Sequence, residues 1–246
     1  MGILEAAITG APLRTSHAHV VGQLGRGIVS GEFGEGTILP GDEELSARFG
    51  VSRTVLREAM KTLAAKSLIQ PKARVGTRVL ERQNWNLFDG DVLRWRFESG
   101  LDEGLLIDLA EMRAAVEPAA AALAARHATA EDIEKLFSIA RRFDDPAHDR
   151  VSIANVDLEF HLAIADVSKN PFMRSITSLI EAALAISFKL SSPASGQEMV
   201  AECAANHMRI VEAIAARDEA ATRAAMLHVI DVGVERTRRA LRADGV

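Results

Sequence analysis

The chain of 246 residues contains no tyrosine, one cysteine and seven prolines. The single cysteine, Cys203, excludes an intramolecular disulfide framework and fits a reducing cytoplasm. No uncharged apolar run approaches the roughly 18 residues of a membrane-spanning helix. The first residues lack the basic and apolar regions of a secretory signal. We therefore expect a cytoplasmic protein without membrane contact, and the scarcity of proline favours helix.

Charge is divided unevenly along the chain, whose net charge is −5. Residues 1–80 carry ten lysines and arginines against seven acids, whereas the remaining residues carry 19 against 27. A mildly basic N-terminal part joined to an acidic remainder predicts that only the first part meets a polyanion. The length allows two domains, each with its own core.

Residues 15–81 have the element order of a winged helix-turn-helix, which is helix, short helix, tight turn, longer helix and hairpin. A tail without periodicity, residues 1–14, precedes them. Gly31 is a predicted C-cap, and Asp42 and Ser52 are predicted N-caps. Periodicity predicts helices over 17–31, 42–50 and 53–66, and strands over 68–71 and 77–80.

The stretch FGVSRTVLRE suggests how this domain meets DNA. Gly50 permits the sharp turn, and the next helix presents polar side chains at its N-terminal end: Ser52, Arg53, Thr54 and Arg57. In the major groove, arginine can fork onto guanine, and hydroxyls can reach phosphate. The hairpin adds Lys72, Arg74 and Arg78. The alternative is a small helical domain with merely solvated arginines, but the complete element order favours DNA binding.

The rest of the chain is predicted to be mainly α. Residues 82–101 read as a linker, and residues 102–246 as an all-helical antiparallel bundle. Candidate helices cover 102–127, 130–143, 151–168, 171–191, 197–216 and 218–243.

Four polar residues in this bundle suit a metal ion. Asp157 and His161 are four residues apart and leave the same helical face. His207 and His228 lie in apolar stretches of other predicted helices. Imidazole and carboxylate are ligands for Zn²⁺ and Ni²⁺, and facing helices commonly build such sites. Spacing alone leaves open the alternative of a surface hydrogen bond and two unrelated histidines.

The stretch LPGDEELSARFGVSRTVLREAMKTLAAKSLIQ, followed by RVGTRV, resembles the DNA-binding domain of GntR-family transcription regulators. The resemblance implies that Arg53 and Arg57 contact operator bases or phosphates. Ser52, Thr54 and the wing-tip Gly76 would support them. Some relatives have an arginine in the short helix where this chain has Glu43, so that phosphate contact is not expected here.

DLEFHLAIADVSKNP, with NHMRIVEAI and MLHVI, resembles the FCD ligand-binding domain of the FadR subgroup. The resemblance implies that Asp157, His161, His207 and His228 bind a divalent metal, zinc or nickel, which helps to bind an organic acid. Arg113 resembles the family arginine that pairs with an effector carboxylate. Its alternative role is a helix-surface arginine that bridges Glu117.

These resemblances imply a metabolite-responsive repressor with a double-stranded DNA operator, near-palindromic and bound by a homodimer. The linker resembles that of sugar-acid regulators, so a sugar acid is the first expected effector and a dicarboxylate the second. A zinc-dependent hydrolase is the rival, since three histidines and an acid also describe catalytic zinc. The lack of an HExxH motif counts against it. A third possibility keeps the regulator but makes the metal purely structural.

Overall fold

The computed structural model describes residues 15–100 and 103–243, and these two stretches form two compact units. The predicted tail at residues 1–14 lies outside the described residues. Helices dominate both units, and the predicted mainly α fold is confirmed.

The N-terminal unit is a winged helix-turn-helix, as predicted. Its apolar core joins the helices to the hairpin, with Leu24, Leu45 and Leu56 fully buried. Its elements are α1 (Ser16–Ser30), α2 (Asp42–Phe49), α3 (Arg53–Ala65), β1 (Ile69–Lys72), β2 (Gly76–Val79) and α4 (Gly90–Glu98).

Local chemistry sets the helix ends in this unit. Gly31 and Gly50 end α1 and α2 at φ of 88° and 62°, in the left-handed region that glycine tolerates best. Ser52 caps α3 because its hydroxyl accepts a hydrogen bond from the Val55 amide at 3.3 Å. The predicted N-cap at Asp42 is wrong. Gly41 occupies that position, and Asp42 lies in the first turn, where its charge suits the helix dipole.

The wing is an antiparallel pair in which Ile69 faces Val79 and Lys72 faces Gly76. Backbone hydrogen bonds between β2 and residues 37–39 add a third extended segment beside the hairpin. Gly76 is required here for two reasons. Its φ is +118°, and a Cβ atom would lie 2.9 Å from the side chain of Ile38.

Residues 82–100, within the predicted linker, are folded against the N-terminal unit. Trp85 and Trp95 are buried, and α4 packs on α1. Gly25 of α1 makes room for the second indole, since a Cβ there would lie 2.3 Å from Trp95. The ammonium of Lys66 lies 2.8 Å from Asp89 and 2.9 Å from Asp91, which ties the start of α4 to the end of α3.

The helical unit is a bundle around a continuous apolar core, in which Phe143, Phe160 and Phe188 are among the largest buried side chains. Its helices are α5 (Glu103–His127), α6 (Ala130–Arg141), α7 (Arg150–Val167), α8 (Pro171–Arg174), α9 (Thr177–Leu190), α10 (Gln197–Ala215) and α11 (Glu219–Ala243).

One predicted helix in this unit is wrong, since residues 171–191 form α8 and α9 instead of a single helix. The Ser175 hydroxyl donates to the carbonyl of Pro171 at 3.0 Å. A hydroxyl bond of this kind bends and slightly weakens a helix, and helical periodicity does not reveal it. Across the described part of the chain, none of the helices combines the length and the apolar character that a membrane crossing needs.

Candidate metal centre and nucleic-acid surface

The N-terminal end of α3 presents a cluster of exposed polar side chains. Ser52, Arg53, Thr54 and Arg57 are all exposed. Neither arginine forms an ion pair with a carboxylate among the described residues. Guanidinium groups without internal partners, beside the amides of a helix N-terminus, suit phosphate and base edges.

The wing tip adds a second cationic element to the N-terminal unit. Arg74 and Lys72 are exposed, and Arg74 adopts a left-handed φ of 62° at the turn. Gly76 follows and begins β2. The turn therefore carries its positive side chains on an exposed hairpin end, as a backbone-contacting wing requires.

In the helical unit, Asp157 lies between two imidazoles. Its Oδ1 atom is 3.0 Å from Nε2 of His207, and its Oδ2 atom is 3.8 Å from Nε2 of His161. Asp157 and His161 come from α7, and His207 comes from α10. All three are at most 4% exposed. The structure thus brings together three of the four residues that the sequence predicts as metal ligands.

Each imidazole has a second partner on the side opposite Asp157. Nδ1 of His161 pairs with the carboxylate of Glu117 on α5. Nδ1 of His207 lies 2.8 Å from the carbonyl oxygen of Cys203, which can only accept, so Nδ1 carries the proton. Phe143 stacks on His207 with ring centroids 4.0 Å apart and restricts the ring further. Partners of this kind typically orient metal-bound histidines.

The remaining nitrogens have the character of ligand atoms. Nε2 of His207 and Nε2 of His161 are buried and lack a partner with hydrogen-bond geometry among the described residues. Buried polar nitrogens normally find a partner. The two imidazoles point their Nε2 atoms at one carboxylate, and their Nδ1 atoms are held by other partners. This arrangement and these ligand types fit a divalent ion.

Electrostatics keep the acids of this cluster ionised. Burial alone would raise the pKa of Asp157, but His207, His161 and Arg113 lower it to about 2. Burial would likewise raise the pKa of Glu117, which Arg113 and His161 lower to about 2. Asp157 therefore offers an anionic oxygen at neutral pH.

His228 and Cys203 lie beside this cluster in different settings. His228 is exposed on α11, although it lines the same cavity as Asp157. Cys203 is half-buried. Its sulfur belongs with Asp157 and His207 to a group of ligand atoms that lie within 4.8 Å of one another. Cys203 precedes His207 by four residues, the spacing of Asp157 and His161, so the same helical rule could have found it.

A cavity of about 740 Å³ opens beside this cluster. Asp157, His161, His207 and Arg113 line it, and serines, further charged residues and apolar side chains such as Phe188 and Met199 complete the wall. Its volume is in the range of small-molecule sites. The position and polarity of the cavity suit a small, polar and charged ligand.

Arg113 combines features of both roles predicted for it. It lines the cavity, but it is only 8% exposed, and its Nε donates to Glu117 at 2.5 Å. The predicted bridge to Glu117 is therefore present in a buried setting, not on the helix surface. Glu117 in turn contacts His161, a link between α5 and α7 that no sequence spacing predicts.

Two family descriptions match separate parts of the chain. "Bacterial regulatory proteins, gntR family" matches residues 17–79, and "FCD domain" matches residues 108–232. The second match covers half of the chain.

The chain belongs to the GntR family.

Relatives support this assignment. The uncharacterized HTH-type transcriptional regulator YieP of Escherichia coli is 40% identical over 164 residues, which cover 64% of this chain and 69% of YieP. The galactonate operon transcriptional repressor of Escherichia coli is 35% identical over 161 residues, covering 65% of this chain and 70% of the repressor. This GntR protein is a DNA-binding transcription regulator and not an enzyme, so the hydrolase alternative is wrong.

Solved structures support the fold alone. Lar, which controls the expression of the Listeria monocytogenes agr system, matches with a TM-score of 0.63 at 20% identity, over 93% of this chain and 99% of Lar. The E. coli protein McbR/YncC matches with a TM-score of 0.53 at 19% identity, over 92% of this chain and 99% of McbR/YncC.

Proposed function

We propose that this GntR regulator is a repressor that binds a near-palindromic operator as a dimer and leaves it when an organic acid enters the helical unit. The observation that carries the proposal is the convergence of Asp157, His161 and His207 on one cavity. A cavity of this polarity suits a metabolite better than a protein partner. The relative named as a repressor favours the same sign of regulation.

Asp157, His161 and His207 would hold a divalent ion, zinc or nickel, with His228 or Cys203 as a further donor. When bound, the ion would supply a Lewis-acid site for an anionic oxygen. Glu117 and the Cys203 carbonyl hold the two imidazoles in place through contacts within the helical unit. The donors therefore form a prearranged site, so the effector does not have to order them on binding.

We propose a carboxylic acid as the effector, with a sugar acid first and a dicarboxylate second. A hydroxyl beside the carboxylate allows chelation of an ion, and the serines of the cavity wall suit further hydroxyls. Arg113 is the arginine that the sequence predicts as the carboxylate partner. The relative named for the galactonate operon favours a sugar acid of the aldonate class.

Operator release measured on metal-loaded and metal-stripped protein tests the proposal. An operator obtained by selection from random DNA would be titrated with protein, and D-galactonate, D-galacturonate and succinate would be added in turn. We expect at least one acid to release the loaded protein and none to release the stripped protein. Equal release of both forms would contradict a role of the metal in sensing. Thermal stabilisation by zinc without any response to the acids would support a purely structural metal.

A further inference from the structure

Arg236 on α11 lines the same cavity as the metal donors. Its guanidinium is fixed by two contacts. Nε donates to the carbonyl oxygen of Ser191 at 2.9 Å, and the Cζ atom lies 5.7 Å from the centre of the Phe188 ring. Phe188 is 2% exposed, so the surface that supports the guanidinium is part of the core.

The two terminal nitrogens of Arg236 make no hydrogen bond with the residues that the structure describes, and no carboxylate among those residues forms an ion pair with it. A half-buried cation without an acid partner is uncommon, because burial costs a charge its hydration. Burial lowers the pKa of Arg236 below its ordinary value, and the nearby acids do not compensate. The group stays charged nonetheless, since arginine is not deprotonated in proteins.

Arg113 is in the opposite situation. Its Nε and one terminal nitrogen both face Glu117, at 2.5 and 3.5 Å, and Asp157 adds a further negative charge nearby. An incoming carboxylate would have to compete with an internal carboxylate for this guanidinium. Arg113 is therefore suited to holding Glu117 against His161, which orients the imidazole.

We propose that Arg236, in the same cavity as the metal donors, is the residue that anchors the carboxylate of the effector, whereas Arg113 is a positioning residue. This inference rests on the proposed function, because it concerns the ligand of the same cavity. A guanidinium with both terminal nitrogens free can bind a carboxylate through two parallel hydrogen bonds. Its attachment to Ser191 and Phe188 means that little side-chain freedom is lost on binding.

Calorimetric titration of zinc-loaded protein without DNA tests the anchor. The probes are D-galactonate, D-galacturonate and succinate, with galactitol as the counterpart of galactonate that lacks a carboxylate. We expect at least one acid to bind the wild type and galactitol not to bind. Arg236→Gln should weaken binding of that acid roughly 10- to 100-fold, the range expected for a lost charge-assisted pair. Arg236→Lys should recover only part of the affinity, since lysine lacks the fork.

Arg239→Gln is the matched control. Arg239 is three residues further along α11, lines the same cavity, is exposed and lies 3.7 Å from Glu235. We expect its removal to change the affinity less than about threefold, because exposed charges are screened by water. Zinc stoichiometry should be the same in all α11 variants, which separates anchoring from metal binding.

Two results would overturn the inference. One is a wild type that binds none of the three acids. The other is an Arg236→Gln variant that binds the acid with wild-type affinity. If Arg113→Lys then loses affinity for the acid, the anchor is Arg113. Failure of the proposed function gives a different result. If the zinc-loaded wild type binds an acid but stays on its operator, the role of Arg236 is retained and the regulatory role is excluded.

Discussion

Arg53 and Arg57 are the residues whose exposure bears most directly on operator recognition. Both lie on the first two turns of α3, away from the buried face that holds Leu56. Because neither is engaged in an ion pair with a described residue, DNA does not have to displace an internal partner.

We expect Arg53→Ala to weaken operator binding by about 1–3 kcal/mol and to relax base preference at one position, as for a lost bidentate contact to a base. Fluorescence anisotropy with the selected operator and with single-base variants measures both effects. Lys61→Ala is the control, since Lys61 lies further along α3 and pairs with Glu58 at 2.8 Å. Full operator affinity in the Arg53→Ala, Arg57→Ala double variant would contradict the assignment.

Cys203 offers a residue-level report on metal binding because it is the one thiol of the chain. Its sulfur lies among ligand atoms within 4.8 Å of one another, so a bound ion would ligate or cover it. We expect zinc to slow alkylation of Cys203 by iodoacetamide at least several-fold, which mass spectrometry measures directly.

The His161→Ala variant is the comparison for this experiment. It should lose both the metal and the protection of Cys203. If zinc binds the wild type stoichiometrically while the rate of alkylation stays unchanged, the ion is bound elsewhere.

At the scale of elements, α4 is the part of the N-terminal unit that depends most on contacts distant in sequence. Trp95 sits over Gly25, and Lys66 holds Asp89 and Asp91 at the start of the helix. Asp89 also caps α4 by accepting from the amides of Asp91 and Val92. Lys66 therefore holds Asp89, the residue that caps α4, in position.

We expect Lys66→Met to destabilise the N-terminal unit by about 1–3 kcal/mol, since it leaves two partly buried carboxylates without their cation. Denaturant unfolding followed by tryptophan fluorescence measures this. Lys61→Met, the same change at an exposed ion pair, should cost less than about 1 kcal/mol. Equal losses of unfolding free energy in the two variants would show that the Lys66 contacts stabilise the protein no more than an exposed ion pair does.

The contacts of Lys66 with Asp89 and Asp91 make the stability of the N-terminal unit depend on pH in a defined direction. Burial alone would lower the pKa of Lys66, but Asp89 and Asp91 raise it above the ordinary value of 10.5. The stabilisation is therefore complete below pH 10.5 and is lost as the pH rises through the higher value of the folded state. The difference between wild type and Lys66→Met should shrink in that range.

For the whole molecule, we expect a dimer, because paired helix-turn-helix units can place their recognition helices in successive major grooves of a near-palindrome. The helical unit also presents large apolar side chains to solvent, including Phe172 at 81% exposure. We expect sedimentation equilibrium to give a dimer at micromolar concentration. A protein that stays monomeric both with and without its operator would contradict this expectation.

The sequence by itself determined most of the elements and the type of each domain. Several of the signals are local: helical periodicity, the glycines at 31 and 50, and the capping serine at 52. Local signals can be read from the sequence without knowledge of the fold. The i,i+4 spacing of Asp157 and His161 is local in the same way. The sequence did not predict α4, which packs on Gly25 and is held at its start by Lys66, both distant in sequence. It also did not predict the break between α8 and α9.

Only the tertiary structure decided which side chains share the cavity. Arg113, Asp157, Cys203 and Arg236 come from four different helices, and no spacing in the sequence states which faces of those helices meet. Burial then set their chemistry, because the same Arg113 is neutralised by Glu117 whereas Arg236 is without an acid partner among the described residues. Packing between helices depends on contacts distant in sequence, and those contacts determine which charges are paired and which stay available for a ligand.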